Sequence, residues 1–355
     1  MENTKNTKLL ELTLLLASML TILANAIIAP LAGRLLDKTG RIKVLYISLL
    51  IYLLAGTSGF WLGNLFSILL GRTIFGLGVA GIMTVSTTLI GDYFTGAKRE
   101  HFMGLQGAFV ALGGLVFITA AGVLTNINWR LAFLIYGFSA IVMVLVPFAL
   151  HEPEITHHET KAQTQNRIAI PPVVWLVFIS AFITTVSFYT IPVQLPFFLQ
   201  KLEGINGNKM GLALGSMPFS QAIASYFYKQ VKRRLDFVSI YSLGFIPMAM
   251  GFLVIGFSQT YWQAVAGVLL IGLGVGTLIP NGNLWMINLV PVQVRGKYVG
   301  FLTTATFFGM FISPIIIQSI QNLVGINSSF IVLGVALAVL SVLYLFIRER
   351  VATSN

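Results

Sequence analysis

The chain has 355 residues, of which 56% are hydrophobic and only 9% charged, with a mean hydropathy of +0.87. A soluble domain carries roughly 25% charged residues, so these charges cannot cover a globular surface and lipid must be the main solvent. The net charge of +11 sits in short clusters between apolar runs, which is the pattern of a membrane topology signal and argues against a nucleic-acid partner. With no Cys in the chain, disulfides, thiolate catalysis and Cys-based metal sites are excluded.

A spanning helix needs about 20 mostly apolar residues. Eleven runs meet that need: 9–33, 43–63, 66–91, 102–125, 129–150, 171–199, 209–229, 237–258, 262–290, 298–321 and 325–348. The first contains Ala24-Asn25-Ala26, a formal match to a signal-peptide cleavage site, but the apolar run continues past it. It is therefore read as a helix that stays in the membrane. The segment 151–170, HEPEITHHETKAQTQNRIAI, is polar and ends at Pro171-Pro172. It is the expected linker between a bundle at 1–150 and a second at 171–355.

Basic clusters at 34–43, 98–99, 161–167, 229–234, 295–297 and 348–350 fall on one side of the membrane. Only Lys5, Lys8, Arg130, Lys201 and Lys209 fall on the other. The charge rule makes the first side cytoplasmic. Gly76-Leu77-Gly78-Val79 and Gly272-Leu273-Gly274-Val275 repeat at an offset of 196 residues, and the same register pairs Arg99 with Arg295, Gly104 with Gly300 and Gly113 with Gly309. Parallel repeats of this kind predict two similar helical bundles with a site between them.

The stretch Gly33-Arg34-Leu35-Leu36-Asp37-Lys38-Thr39-Gly40-Arg41-Ile42-Lys43 resembles the signature loop between helices two and three of the major facilitator superfamily. Arg72, followed by Gly76 and Gly78, resembles its helix-four motif, and Asn128-Trp129-Arg130 with Phe133 the start of its helix six. Tyr228–Asp236 is a degraded second signature loop. The resemblance implies an all-α membrane protein of two pseudo-symmetric bundles, about eleven transmembrane helices, similar to bacterial drug-efflux and sugar-efflux permeases. Two departures stand out. Val116–Gly122 lacks the proline of the efflux antiporter motif. One run precedes the signature loop where the family has two, so about one N-terminal helix is missing, with the gap expected at the Ala29–Leu31 junction. That arrangement puts Lys5 and Lys8 outside, against the charge rule.

In the loop, Gly33 allows close helix approach and Gly40 a tight turn. The resemblance implies that Asp37 meets the N-terminus of a helix starting near Lys297, where the dipole favours an anion. Arg41 is placed to pair with Asp92. Gly33, Asp37, Gly40, Arg41 and Asp92 are the expected conformational latch, a topology-setting basic loop being the alternative. Arg72 is the one charged side chain well inside an apolar run, and such an ion faces a bundle interior or a wet cavity, or snorkels to the interface. Asn25, Arg72, Gln106, Tyr189, Gln194, Asn281 and Asn283 are the candidate cavity residues, helix–helix hydrogen bonding being the alternative. Pro192, Pro196 and Pro280 are expected to interrupt their helices near that cavity.

No acid lies at mid-membrane depth, which leaves proton coupling open. His151, His157 and His158, with Glu154 and Glu159, lack metal-site spacing, and no phosphate-binding loop or nucleophile–base arrangement occurs. No metal, cofactor or enzymatic activity is expected. The expected function is a transporter of small organic compounds by alternating access, in the efflux direction, acting as a monomer in a bacterial inner membrane. A sugar or metabolite permease and a truncated, non-transporting membrane protein are the alternatives.

Overall fold

The structure, a computed structural model, describes residues 2–153, 171–201 and 207–352. Helices α1 (Glu2–Thr39), α2 (Arg41–Trp61), α3 (Leu65–Tyr93) and α4 (Gly96–Ile127) lead into a 3-10 segment, Trp129–Gly137, that continues as α5 (Phe138–Ala149). Then follow α6 (Val173–Lys201), α7 (Gly207–Tyr226), the short α8 (Tyr228–Lys232), α9 (Phe237–Phe257), α10 (Tyr261–Leu289), α11 (Arg295–Val324) and α12 (Ile326–Ala352). No strand occurs among the described residues. Each of the eleven expected runs falls on these helices to within a few residues, the fifth taking in the 3-10 segment and the seventh running from α7 into α8. Among the described residues, nine spans are long and apolar enough to cross a membrane. Most of the linker expected at 151–170, with Glu154, His157, His158 and Glu159, lies outside the described residues.

Packing divides the chain into two compact units, each assembled from three stretches. The first holds Met1–Tyr93, Phe117–Phe178 and Met286–Phe311; the second holds Phe94–Val116, Ile179–Trp285 and Ile312–Asn355. In the first, Leu36, Val44, Leu45, Leu49, Val85, Leu89 and Val146 form a buried cluster beneath the loop that joins α1 to α2. In the second, Tyr241 and Phe245 of α9 pack on Tyr344 of α12, and Phe252 of α9 and Phe198 of α6 pack on Phe330.

The glycine repeat has a packing counterpart in each unit. Gly76 lies against Thr21, Ala24 and Asn25 of α1, and Gly272 lies against Met217, Ser220 and Gln221 of α7. Gly78 lies against Ser48 and Tyr52 of α2, and Gly274 lies against Gly244 and Met248 of α9. Gly300 meets Ala29, and Gly104 meets Ser225. Every one of these partner pairs is separated by the same 196 residues as the glycines themselves. The repeat is therefore one of three-dimensional contacts, with α1, α2, α3 and α11 matching α7, α9, α10 and α4. The matching register holds on both sides of the junction, from Thr21 to Ala29 and again at Ser48 and Tyr52. This corrects the expected gap at the Ala29–Leu31 junction: α1 is one continuous helix equivalent to α7, and it is α6 that has no counterpart among the described residues.

The prolines also depart from expectation. Pro192 and Pro196 lie inside an unbroken α6, and Pro280 inside an unbroken α10. Proline removes one N–H and so frees the carbonyl four residues earlier, which in lipid must find another donor. For Pro280 that carbonyl belongs to Gly276, and the Ser225 hydroxyl of α7 donates to it at 2.7 Å. For Pro30 it belongs to Ala26, and the Thr304 hydroxyl of α11 donates to it at 2.7 Å. A hydroxyl on a neighbouring helix lets the helix continue where sequence alone suggests a break.

Gly33 and Gly296 bring the backbones of α1 and α11 into direct contact, and a Cβ on Gly33 would collide with the Gly296 carbonyl. Backbone atoms cannot swing aside as a side chain can. Gly33→Val is expected to destabilise the protein by roughly 1–3 kcal/mol, read as a lower unfolding temperature in detergent, with Gly63→Ala, which meets nothing within 4 Å, as the neutral control.

Candidate functional site

The α1–α2 loop is built around two helix N-termini and two carboxylates. The first N–H groups of a helix have no partner within it, and the dipole there attracts negative charge. Asp37, near the end of α1, accepts from the Gly296 N–H at 3.0 Å and from the Lys297 N–H at 2.8 Å, one on each carboxylate oxygen. It thereby caps α11. Glu152, just after α5, does the same for α2: it accepts from the Arg41 N–H at 2.5 Å and the Ile42 N–H at 2.9 Å. Gly40 makes the turn between α1 and α2 with φ of 100°, a conformation that favours glycine. A Cβ there would also crowd the Glu152 carboxylate.

Beneath the loop lies a buried charge network. Arg41 is 2% exposed. It donates to Asp92 at 3.0 Å and to the Leu36 carbonyl at 3.1 Å, and its remaining guanidinium nitrogen lies 3.6 Å from Asp37. Arg295, at the start of α11, pairs with the other oxygen of Asp92 and donates to the Gly91 carbonyl at 3.1 Å. Asp92 thus joins two arginines from α2 and α11, while Asp37 holds the α11 backbone. Burial pushes the Asp37 carboxyl up to about 6 against the opposing pull of the Lys297 N–H, Arg41 and the Gly296 N–H.

Sequence reading missed Glu152 and the pairing of Arg295. A signal for the first exists: α2 begins Gly-Arg-Ile-Lys, with no side chain of its own suited to cap it. For the second, Arg295 sits in register with Arg99, but its acid partner lies 203 residues away. At the repeat offset, Asp37 and Asp92 fall on Arg233 and Asn288. The acids of this network are therefore not repeated.

Arg72, on α3, lies in an aromatic recess. Its guanidinium carbon is 4.3 Å from the Phe133 ring centroid, 5.1 Å from that of Tyr136 and 5.4 Å from that of Phe75. Phe133 and Tyr136 are three residues apart in the 3-10 segment, where positions i and i+3 eclipse. That geometry sets both rings on one line against the arginine. Gly59 and Gly56 of α2 leave the room that those rings fill. Among the described residues, the three ion pairs are those of Arg41 and Arg295, and none includes Arg72.

The other cavity candidates separate by environment. Asn25 is 2% exposed, and its side-chain oxygen has no hydrogen-bond partner. It shares the first unit with Arg72. Gln106, Tyr189, Gln194, Asn281 and Asn283 belong to the second unit. Gln194 is buried, and Gln106, Tyr189 and Asn283 are half-buried. Asn281 is engaged by the protein itself. It accepts from the Tyr228 hydroxyl at 3.1 Å and donates to the Phe237 carbonyl at 3.0 Å, tying α8 and α9 to α10.

Two outcomes follow for the network. Asp92→Ala leaves Arg41 and Arg295 buried without their shared acid, and is expected to cost about 3–5 kcal/mol of stability, measured by thermal or denaturant unfolding. Asp37 titrates higher folded than unfolded, so the folded protein holds the extra proton. Its contribution is fullest below pH 3.8 and is lost as pH rises through about 6. The stability of the wild type relative to Asp37→Asn should therefore fall by roughly 1–2 kcal/mol across that window, after discount for partial exposure, measured by unfolding at a series of pH values.

The family model of the Major Facilitator Superfamily matches residues 5–238 and 204–355. The niacin transporter NiaP of Acinetobacter baylyi is 32% identical over 153 residues, a match spanning 40% of this chain and only 35% of that protein. The quinolone resistance protein NorA of Staphylococcus aureus is 21% identical over 323 residues, 89% of this chain and 82% of NorA. The crystal structure of the human organic anion transporter MFSD10 shares the fold, with a TM-score of 0.79 and 18% identity, covering 93% of this chain and 83% of that one. The family model covers nearly the whole chain, and the chain belongs to the Major Facilitator Superfamily, as an integral, multi-pass membrane transporter.

Proposed function

We propose that the protein exports small organic compounds by alternating access, as a monomer in a bacterial inner membrane. The observation that carries this reading is the double hold on α11. Its backbone is capped by Asp37 and its first side chain is paired with Asp92. Alternating access needs an element with two discrete arrangements. A helix end held by a carboxylate and an ion pair supplies one that can be broken as a unit. In this reading Gly33, Asp37, Gly40, Arg41 and Asp92 form the latch, and the bundles at 1–150 and 171–355 are the moving parts.

Arg72 is the proposed substrate contact, with Asn25 of α1, which lies against Gly76 one turn further along α3, in the same unit. A cation lined by aromatic rings and unpaired with an acid suits a flat, apolar compound that carries an acceptor or an anionic group. Gln106, Tyr189, Gln194 and Asn283 are proposed as further cavity groups. Asn281, with both ends of its amide occupied, is better suited to scaffolding. Asp37 is the acid proposed to exchange a proton if transport is proton-coupled, because its ionisation lies near pH 6. A metabolite permease is the second reading. It is supported by the 32% identity to a niacin transporter, and it uses the same latch.

The test is flux in proteoliposomes containing the full chain, with nicotinate and a quinolone as probes. Saturable flux is expected, about tenfold or more lower in Arg72→Ala, while Arg72→Lys retains part of it. Asp37→Asn is expected to slow turnover without a matching change in binding. Absence of saturable flux for organic anions, cations and neutral solutes alike would overturn the reading.

A further inference from the structure

The degraded signature loop, Tyr228–Asp236, has no part in the network above. At the repeat offset its Arg233 stands where the first loop has Asp37, so a base replaces the capping acid. Below it in the second unit lies an open trough of about 730 Å³. Its walls are Ile223 and Phe227 of α7, Leu243 and Pro247 of α9, and Leu273 of α10, with Gly244 at the floor. Four of these wall side chains are between 37% and 50% exposed, so the trough opens sideways along the helices. Arg234 closes its basic end.

From Ile240 to Pro247 the trough follows roughly 10 Å of helix, at about 1.5 Å per residue. An apolar channel of that length, running along a membrane helix and ending at an arginine, matches an acyl chain below a phosphate. The charge at the mouth is unbalanced. Arg233 and Arg234 are exposed and take part in none of the three ion pairs of the described residues. The acids nearby are otherwise placed. Asp236 caps α9, accepting from the Ser239 N–H at 2.8 Å, and Glu100 and Asp236 both act on Lys232. Lys232 in turn points its ammonium at the Leu235 carbonyl and the Phe237 ring.

We propose that this trough is a binding site for an anionic phospholipid of the cytoplasmic leaflet, with one acyl chain between α7, α9 and α10 and the phosphate on Arg234 and Arg233. Basic pockets between membrane helices on that side hold acidic headgroups by this combination of charge and apolar contact. In the first unit the corresponding position of Gly244 is Ser48 and that of Arg233 is Asp37. The two halves of the repeat therefore differ at these two positions, although Lys38 stands in the first at the position of Arg234. The site is independent of what the protein transports.

The experiment is native mass spectrometry of the purified full chain, after equilibration with phosphatidylglycerol and phosphatidylcholine of identical acyl chains. Wild type should retain phosphatidylglycerol at least threefold over phosphatidylcholine. Arg234→Gln changes an exposed side chain and should bring the two lipids to parity. Leu243→Trp fills the trough from its half-exposed wall and should lower retention of both. Arg130→Gln, in the other unit, should leave the preference intact. Parity in the wild type, a preference that survives Arg234→Gln, or retention of both lipids unchanged in Leu243→Trp overturns the proposal. Displacement of the lipid by inorganic phosphate alone also overturns it, because the site would then hold an anion without its chain.

Discussion

The contact between Asp37 and the first N–H groups of α11 is the interaction on which the rest of the first unit depends. A helix N-terminus that begins in a basic segment, Arg295-Gly296-Lys297, needs an acceptor from elsewhere. Asp37 reaches it because Gly33 and Gly296 remove the side chains that would hold the two backbones apart. Once α11 is seated, Arg295 arrives beside Asp92, and Asp92 fixes Arg41. Arg41 then defines the first turn of α2, which Glu152 caps from the far side. One acid on α1 thereby orders four other segments. Charges buried this deeply are costly unless each is paired and hydrogen-bonded, and here the pairing is shared so that no member stands alone.

The 196-residue repeat explains the scaffold and marks where it has diverged. Its glycines are kept where backbones touch: Gly76 and Gly78 in one unit, Gly272 and Gly274 in the other. Its acids are not. The acids that hold α11 have become Arg233 and Asn288 in the second copy. Close packing without a hydrophobic drive between helices demands small residues at the seams, so those positions are constrained in both copies. The polar positions carry specialised tasks and have drifted apart.

Much of the fold could be read from the chain, for physical reasons. Membrane helices are long apolar runs because lipid leaves no alternative, and Trp129–Ala149 is as evident as Ile326–Phe346. The spacing of Gly33, Asp37 and Gly40 was readable because a turn and a helix cap each constrain residue type. What escaped depends on partners remote in sequence. Nothing near Pro280 announces that Ser225 will take the carbonyl it frees, and the start of α2 at Arg41, with no cap of its own, calls for an acceptor without naming Glu152, 111 residues away. The recess around Arg72 depends on a 3-10 segment that aligns Phe133 with Tyr136, and an apolar run does not reveal its helical pitch. The junction at Ala29–Leu31 was misread because one apolar run stands before the signature loop where the family has two, whereas contacts on either side of it keep one register.

Thr304 and the Ala26 carbonyl have a mechanical consequence. The carbonyl is freed by Pro30, lies in the apolar part of α1, and accepts from a hydroxyl of α11. If α11 slid gradually along α1, every intermediate position would leave that oxygen facing hydrocarbon, at a cost of several kcal/mol. Such a seam resists creeping and yields only when water or another hydroxyl is ready to replace the lost donor. In the proposed alternating-access motion the pair would act as a detent, holding α11 until water or another hydroxyl replaces the lost donor.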